Sequence, residues 1–250
     1  ITTLRSLADH AGIDIAMRDA IARGEFPGPR LFVAGQGITT TGGHGHANGC
    51  VQCDGPDEIR KNVRDQLRRG VDFIKLMMTG GILGAHEGHI NQQMTEDEVR
   101  AAVEVAHWAG KYVSAHIGGA LGAKMAVRCG VDTLEHCYEL DEEAVGFMAE
   151  AGTLCVPTLV VTDSISLYEA LGADAWAIKK LHMARGKHRK GFQMVLKAGI
   201  KYAVGSDLPA SRVNGVIACV REMQIMVELG ARPLDVISAA TKVPAELAGV

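Results

Sequence analysis

Five times along this chain, a helix-like segment ends in a glycine that is followed at once by an apolar, strand-like run. Glycine suits the left-handed position that ends a helix, so each junction links a helix directly to a strand. Such repeated alternation is typical of parallel sheets in α/β proteins. The five junctions are Arg69-Gly70-Val71, Ala109-Gly110-Lys111, Cys129-Gly130-Val131, Ala151-Gly152-Thr153 and Ala198-Gly199-Ile200.

Apolar runs predict seven strands, at residues 2–7, 31–34, 71–77, 112–115, 133–135, 154–160 and 202–205. Apolar spacing near 3.6 predicts helices at 58–69, 95–109, 120–128, 141–150, 175–197 and 216–229, followed by a stretch at 233–248. Thr95 and Glu98 form a capping-box pattern at one helix start. A doubly wound sheet would tolerate seven strands, but no GxGxxG fingerprint follows any of them. We therefore expect an α/β fold of the (β/α)8 TIM-barrel type, one strand short of the usual eight.

Composition excludes several classes of function. The chain has 250 residues, of which 47% are hydrophobic, and a formal net charge of −3, so no attraction to nucleic acid or an anionic membrane is expected. No apolar run approaches the ~18 residues of a membrane span, and no secretory signal is recognised. We expect one domain over residues 1–250 in a reducing, cytoplasmic setting, with buried cysteines at Cys129, Cys137, Cys155 and Cys219.

Polar residues follow several of the predicted strands. Val113-Ser114-Ala115-His116 and Val131-Asp132-Thr133-Leu134-Glu135-His136 each end in a histidine, and Tyr202-Ala203-Val204-Gly205-Ser206-Asp207 ends in an aspartate. A fourth run, Val71-Asp72-Phe73-Ile74-Lys75, ends in a lysine. Because parallel strands present their carboxyl ends at one side of a barrel, these side chains are expected to meet at its mouth. Imidazole and carboxylate groups there predict a metal site.

Each of these residues also has an ordinary structural interpretation. A lone histidine is usually satisfied within the core, Asp207 could cap the next helix with help from Ser206 and Pro209, and Lys75 could pair with a neighbouring acid. Two histidines at equivalent places on successive units favour the metal interpretation. Burial would lower the pKa of Lys75, and a neutral amine can react with CO2 to form an anionic carbamate able to bridge two metals.

The combined motifs resemble the metal-dependent amidohydrolase superfamily, in particular the subgroup related to imidazolonepropionase that includes prolidase-like and Xaa-Arg dipeptidases. Similarity extends over essentially the whole chain. The strand-end motifs above match, with the further segments Gly28-Pro29-Arg30-Leu31, Gly42-Gly43-His44-Gly45 and Val156-Pro157-Thr158-Leu159.

The resemblance implies a role for each of the strand-end residues. Lys75 would be carboxylated and bridge two divalent metals, usually zinc, while His116 and His136 would bind the second metal. Asp207 would bind the first metal and shuttle protons to and from the nucleophilic water. His44 would contact the substrate carboxylate, and Tyr138 is a second candidate for that contact, its alternative being a loop tyrosine packed on a helix.

The chain departs from the family pattern at both ends. The family's first strand ends in a His-x-His pair that holds the first metal, and the opening Ile1–Leu7 run resembles the second strand instead. The family's C-terminal β-rich segment is also missing, so we expect an internal portion of a larger enzyme. His44-Gly45-His46 has the right spacing for a replacement pair, but its flexible glycine-rich loop argues against metal binding.

The remaining histidines and the CxxC pair receive no role. Cys50 and Cys53 lack the second pair that a structural zinc site needs and the context that a redox site needs. His86 and His89 are interpreted as solvated loop residues, and the Lys187-His188-Arg189-Lys190 run as a solvated helix face. His10, His107, His182 and His188 are placed in helical or surface settings.

The leading hypothesis is a zinc-dependent hydrolase of amide or peptide bonds, acting on dipeptides or N-acyl amino acids through a metal-activated hydroxide. One alternative keeps the site but changes the bond to a lactone, a cyclic imide or a carbamate. Another is a catalytically incomplete barrel fragment that acts as a binding module, with at most one metal held by Lys75, His116 and His136. We expect a small-molecule substrate, and homo-oligomer formation stays open.

Overall fold

The computed structural model describes residues 1–207 and 215–250. Its strands are β1 (Thr3–Ser6), β2 (Arg30–Val33), β3 (Gly37–Thr39), β4 (Cys50–Gln52), β5 (Ile74–Met77), β6 (Val113–Gly119), β7 (Thr133–Glu139) and β8 (Leu154–Val156). The helices in this described part are α1 (Ile13–Ala22), α2 (Gly55–Arg68), α3 (Glu96–Trp108), α4 (Ala120–Arg128), α5 (Glu142–Ala151), α6 (Leu159–Asp163), α7 (Ile165–Ala170), α8 (Ala175–Lys197), α9 (Gly215–Glu228), α10 (Pro233–Ala240) and α11 (Lys242–Ala248). None of the helices in these two ranges is both long and apolar enough to span a membrane.

Six of the strands form one parallel sheet in the order β4–β3–β5–β6–β7–β8. β1 and β2 form a separate parallel pair. The carboxylate of Asp72, just before β5, accepts a hydrogen bond from the amide of Val33 in β2, and the amide of Asp72 donates to the carbonyl of Val33. This parallel α/β arrangement, predicted from the sequence, is that of a partial TIM-type barrel.

The helix-to-strand junctions form as the glycine pattern predicts. Gly70, Gly110, Gly130, Gly152 and Gly199 all have positive φ values, between 67° and 86°. The capping box at the start of α3 is also confirmed, because the Thr95 side chain accepts from the amide of Glu98 while the Glu98 carboxylate accepts from the amide of Thr95.

Several predicted elements were wrong in extent. The strand expected at 154–160 ends at Val156, because Thr158 adopts a left-handed conformation (φ 51°) and α6 begins at the next residue. The strand expected at 202–205 is reduced to one parallel bridge between Cys155 and Tyr202. The final stretch breaks into two helices at Thr241, and the short strands β3 and β4 were not predicted.

The strand register separates two faces of the sheet. One row crosses five strands in register, and each of its members is 1% exposed or less, which is typical of a sheet face covered by helices; the row consists of Ile38, Leu76, Ala115, Leu134 and Cys155. Because side chains alternate along a strand, the next residues face the barrel interior, and this inner row contains Lys75, Ser114, Thr133 and Leu154.

The predicted burial of the cysteines holds for three of four positions. Cys129, Cys137 and Cys155 are buried, whereas Cys219 on α9 is only partly buried. All six cysteines of the chain are free thiols.

Candidate active site

Polar side chains gather on the inner face of the sheet. The register pairs Lys75 with Ser114 and Ser114 with Thr133, and one layer nearer the strand ends it pairs His116 with Glu135. All five are 3% exposed or less. Buried polar groups in native proteins almost always have hydrogen-bond partners. A buried polar group without one is therefore a candidate for binding a ligand.

Glu135 is a buried carboxylate that the sequence analysis gave no role. Its Oε1 atom accepts hydrogen bonds from Arg5 Nη2 at 2.8 Å, from Ser114 Oγ at 2.8 Å and from Thr133 Oγ1 at 2.9 Å. Burial alone would raise its pKa, but the positive charges of Arg5 and Lys75 and these hydrogen bonds lower the pKa below the usual value. Glu135 is therefore a fully paired anion below the barrel mouth.

Lys75 is also buried, but it lacks a partner. Its Nζ atom has no hydrogen-bond partner among the described residues. Burial lowers the pKa of Lys75 to about 8, against the opposing charges of Glu135 and Asp207. A buried ammonium without hydrogen bonds is costly. The lowered pKa makes the neutral, nucleophilic amine more accessible than it is in an ordinary lysine.

The hydrogen bond of His116 selects one tautomer of its ring. The Nε2 atom lies 3.0 Å from the carbonyl oxygen of Gly80. Because a carbonyl only accepts, Nε2 carries the proton and Nδ1 has a free lone pair. Burial, followed by the neighbouring His44 and His136 rings, holds the pKa of His116 well below its usual value. The ring is therefore neutral, as a metal ligand must be.

His136 lies beside His116, with the two ring centroids 4.6 Å apart. Its Nδ1 atom is 2.8 Å from Thr158 Oγ1 and 3.8 Å from Asp207 Oδ2. Nδ1 faces these oxygens, and the tautomer that carries its proton on Nδ1 presents the Nε2 lone pair to a ligand. Burial, with the positive charge of Lys75, holds the pKa of His136 well below its usual value.

The backbone is strained at the strand ends that carry these groups. Of the five non-glycine residues with positive φ in the described part of the chain, four lie here: His136 (69°), Cys137 (57°), Thr158 (51°) and Asp207 (47°). Such conformations cost of order 1–3 kcal/mol each and concentrate at functional sites. Here they lie within β7, just after β8 and at Asp207.

His188 corrects the prediction of a solvated helix face. It lies on α8 with 1% exposure. Its Nε2 atom is 2.9 Å from the carbonyl oxygen of His136 and 2.8 Å from that of Pro157, while Nδ1 is 2.9 Å from Thr162 Oγ1. Burial lowers the pKa of His188 to about 4, so it is a neutral brace behind His136. The sequence analysis missed this role because the residues next to His188 in the sequence are charged, and a charged run is usually exposed to solvent.

Asp207 lies at the rim of the group. Its side chain is 53% exposed, so solvent reaches the carboxylate from the open side of the mouth. Loss of solvation, with the negative charge of Glu135, raises the pKa of Asp207 to about 6, against the charges of Lys75 and His44. The alternative role in helix capping involved Pro209, which lies outside the described residues.

The loop between β3 and β4 brings His44 to the same place. Its ring centroid lies 4.3 Å from that of His116, and its Nδ1 atom is 2.6 Å from Glu87 Oε1. His46 instead turns its Nδ1 atom to the carbonyl oxygen of Gly43, at 2.9 Å. The two histidines thus have separate partners.

Tyr138 packs within the cluster. It lies in β7 rather than in a loop and is 2% exposed. Its ring stacks on that of His136 at 5.2 Å and meets the ring of His188 edge-on at 5.2 Å. Tyr138 therefore supports the histidine at the strand end, and its predicted contact with substrate stays a prediction.

His89 was wrongly interpreted as solvated. It is 3% exposed, and its Nε2 atom lies 2.9 Å from Glu139 Oε1, while Lys187 binds the other oxygen of Glu139 at 2.6 Å. The other histidine of this loop, His86, is exposed as expected. The long loop from β5 to α3 is thus anchored to β7 and α8.

Histidine and carboxylate side chains alone do not complete a metal site here. Across residues 1–207 and 215–250, no group of three His, Cys, Asp or Glu side chains is arranged to hold a metal ion. A metal between His116 and His136 would need a further donor, and the unpartnered Nζ of Lys75 is the buried group nearby without another function.

Comparison with known proteins gives a consistent result. The model of the amidohydrolase family matches residues 1–250. The chain is 32% identical to an ochratoxinase of Aspergillus niger over 263 residues, covering 94% of this chain and 53% of that protein.

Solved structures agree with this match. An Xaa-Pro dipeptidase with bound methionine has a TM-score of 0.91 and 32% identity, covering all of this chain and 64% of that one. A prolidase in complex with N-methylphosphonate-L-proline has a TM-score of 0.89 and 30% identity, with the same coverage. The chain thus spans about half to two thirds of the length of these relatives.

Proposed function

Because the chain belongs to the amidohydrolase family, we propose that it contributes the metal site of a hydrolase that cleaves amide bonds in dipeptides or N-acyl amino acids. The observation that carries this proposal is the buried, unpartnered amine of Lys75 beneath two neutral histidines. Enzymes of this family are in general metal-dependent. The prolidase and dipeptidase names of similar structures support the substrate class.

The donor set fits a divalent metal such as zinc. His116 would offer Nδ1 and His136 would offer Nε2, since the other nitrogen of each ring is held by Gly80 or Thr158. Lys75 would complete the set as a carbamate: the neutral amine attacks CO2, a C–N bond forms, and one proton leaves to solvent. The product is an anion with two oxygens, suited to bridging two zinc ions. Asp207 would bind the other zinc.

A bound metal ion supplies Lewis acidity, which lowers the pKa of water to about 7 and polarises a carbonyl oxygen. The residues of the chain would supply the proton transfers. Asp207, whose side chain is 53% exposed at the rim, would accept a proton from the attacking water and return it to the leaving nitrogen. Glu135 is unsuited to this task because all its contacts lie below the mouth, with Arg5 and two hydroxyl groups.

Substrate recognition is assigned to the rim. His44 lies next to His116 and is 18% exposed, so its ring can reach a substrate carboxylate while the scissile bond lies over the metal-binding side chains. Tyr138, whose ring stacks on that of His136, is a second candidate for this contact.

Metal content and turnover test the proposal together. The protein should bind two zinc ions per chain and hydrolyse members of a dipeptide and N-acyl amino acid panel. Asp207→Asn should retain the zinc held by Lys75, His116 and His136 and lose at least about 100-fold in kcat. Lys75→Ala should lose most bound metal and the 13C signal that 13C-bicarbonate gives in the wild type. Less than one zinc ion per chain, with no turnover, would refute the proposal.

An exposed lysine serves as the matched control. Lys201→Ala removes an amine that is 72% exposed and ion-paired with Glu246. It should change neither metal content nor the labelled carbamate signal. Equal metal loss in Lys75→Ala and Lys201→Ala would show that Lys75 is not a ligand.

A further inference from the structure

The short helix α6 is fixed at both ends by two consecutive residues of α9. At its start, the carboxyl group of Glu222 accepts hydrogen bonds from the backbone amides of Leu159 and Val160, at 2.9 and 2.7 Å. At its end, Arg221 Nη2 donates to Asp163 Oδ2 at 2.9 Å. Glu222 is 0% exposed, so its two contacts are made inside the protein. The position of α9 therefore sets the position of α6.

Thr158, the residue just before α6, does not cap this helix. A threonine at such a position commonly accepts a hydrogen bond from an amide of the first turn, because those amides have no partner within the helix. Thr158 instead adopts a left-handed conformation, makes no capping hydrogen bond and places Oγ1 2.8 Å from His136 Nδ1. Glu222 supplies the acceptors that a cap would supply, which leaves the hydroxyl group of Thr158 for His136.

The side chain of Thr158 is enclosed on two sides and is 3% exposed. Its Oγ1 atom faces the ring of His136. Its methyl group faces Gly205, since a Cβ atom added at Gly205 would lie 3.4 Å from Cγ2 of Thr158. Gly205 comes two residues before Asp207. Thr158 therefore lies between His136 and the run that leads to Asp207, and these are two of the residues assigned to the metal site.

We propose that Glu222 is a positioning residue for the metal site, which acts through α6 and Thr158 on the ring of His136. Without Glu222, the amides of Leu159 and Val160 would be buried without an acceptor. Thr158 directly precedes both amides, and a turn of its hydroxyl group toward them would take that group away from His136. The inference rests on the proposed function, in which His136 is a zinc ligand.

A second connection between α6 and His136 distinguishes positioning from stability alone. Thr162 Oγ1 lies 2.9 Å from His188 Nδ1, and His188 Nε2 lies 2.9 Å from the carbonyl oxygen of His136. This connection reaches the backbone of His136, whereas Thr158 reaches its ring. Loss of the Glu222 contacts should therefore keep His136 in its strand but release its ring. Metal affinity should fall in a protein that remains folded.

The zinc affinity of the folded protein tests the inference. Wild type, Glu222→Gln, Thr158→Val and the double variant are compared by competition with a chelator at one pH. Glu222→Gln keeps the size of the side chain but replaces one acceptor oxygen with a donor, so it disturbs the start of α6 without leaving a cavity. Each single substitution should weaken zinc binding about tenfold or more. The double variant should bind no more weakly than the weaker single variant, because both substitutions act through the same hydroxyl group.

Two matched controls accompany these variants. Gln224→Ala changes an exposed position of α9, and Thr158→Ser keeps the hydroxyl group, so both should bind zinc as the wild type does. Losses that multiply in the double variant would overturn the inference. Wild-type zinc affinity in Glu222→Gln would overturn it as well.

A crystal structure of Glu222→Gln without metal measures the positioning directly. Thr158 Oγ1 should no longer lie within hydrogen-bond distance of His136 Nδ1 and should approach the amide of Leu159 or Val160. An unchanged contact between Thr158 and His136 would refute the inference, even in a variant that is less stable than the wild type. A wild type that binds no zinc, with Thr158 displaced in the variant as expected, would instead count against the proposed function.

Discussion

The Nε2 atom of His188 lies 2.9 Å from the carbonyl oxygen of His136, and 2.8 Å from that of Pro157. One imidazole on α8 thereby joins the middle of β7 to the residue that follows β8, close to where His136 and Thr158 adopt left-handed conformations. Strained backbone persists only when surrounding contacts determine it, and His188 supplies such contacts.

Replacing His188 should therefore damage both stability and metal binding. His188→Leu leaves two buried carbonyl oxygens and the hydroxyl of Thr162 without this partner, so the free energy of unfolding should fall by roughly 2–4 kcal/mol in urea titrations. Zinc affinity, measured by competition with a chelator, should fall about 10–100-fold because His136 is no longer held in place. His182→Leu, at an exposed position of the same helix, should do neither. Wild-type stability of His188→Leu would contradict the bracing role.

The buried pair of Arg5 and Glu135 predicts a second stability effect. Arg5→Met removes the cation and leaves Glu135 charged in the barrel interior, which should cost roughly 3–5 kcal/mol of unfolding free energy. Arg5→Met combined with Glu135→Gln should recover part of that loss. Arg23→Met, which breaks an exposed pair with Glu25, should leave the unfolding free energy nearly unchanged. Equal losses in the two arginine variants would show that burial of the pair does not matter.

Gly81 predicts a steric effect at the barrel mouth. In Gly81→Ala the added methyl group meets the ring of His44, so overpacking should lower the unfolding free energy by about 1–3 kcal/mol. The displaced ring should also raise KM for substrates with a free carboxylate. Gly146→Ala is the control, because nothing lies within 4 Å of its added Cβ. That substitution, in the middle of α5, should raise stability by roughly 0.5–1 kcal/mol.

Glu222 predicts a pH dependence of stability. It is fully buried on α9, where its carboxylate accepts the amides of Leu159 and Val160 at 2.9 and 2.7 Å, and burial raises its pKa to about 8. Between the unfolded pKa near 4.5 and about pH 8, the folded state binds more protons than the unfolded state. The contribution of protonated Glu222 to the unfolding free energy is therefore fully present below about pH 4.5. It declines as the pH rises toward 8.

Comparison with a non-titrating variant isolates this contribution. The unfolding free energy of wild type should fall relative to Glu222→Gln by up to about 1 kcal/mol per pH unit between pH 5 and 8, in urea titrations at each pH. Glu169→Gln, at an exposed position of α7, should have the same unfolding free energy as the wild type at every pH. A difference between wild type and Glu222→Gln that stays constant with pH would rule out the raised pKa.

The strand-end residues were predictable from the sequence because their placement depends on local patterns. Each apolar run sets a strand direction, and parallel strands bring their carboxyl ends to one side. Lys75, His116 and His136 accordingly share the barrel mouth. The exact strand ends were less predictable, because the left-handed conformation of Thr158 depends on contacts made after folding.

The groups that support the site could not be predicted in this way. Glu87 meets His44 across 43 positions of sequence, His188 meets His136 across 52, and Arg5 meets Glu135 across 130. The charged run around His188 and the glycine-rich loop around Glu87 are sequence patterns typical of solvent-exposed segments. Only the packed fold shows which of their side chains turn inward.

The sequence by itself thus determined the parallel α/β architecture and which polar residues follow the apolar runs, because helix ends and apolar periodicity are local properties. The tertiary structure decided which protein groups face each histidine ring, which buried charge is paired and which is not. Those properties depend on hydrogen-bond partners brought together from distant segments. The paired Glu135 and the unpartnered Lys75 lie within the same barrel interior, and only their contacts distinguish them.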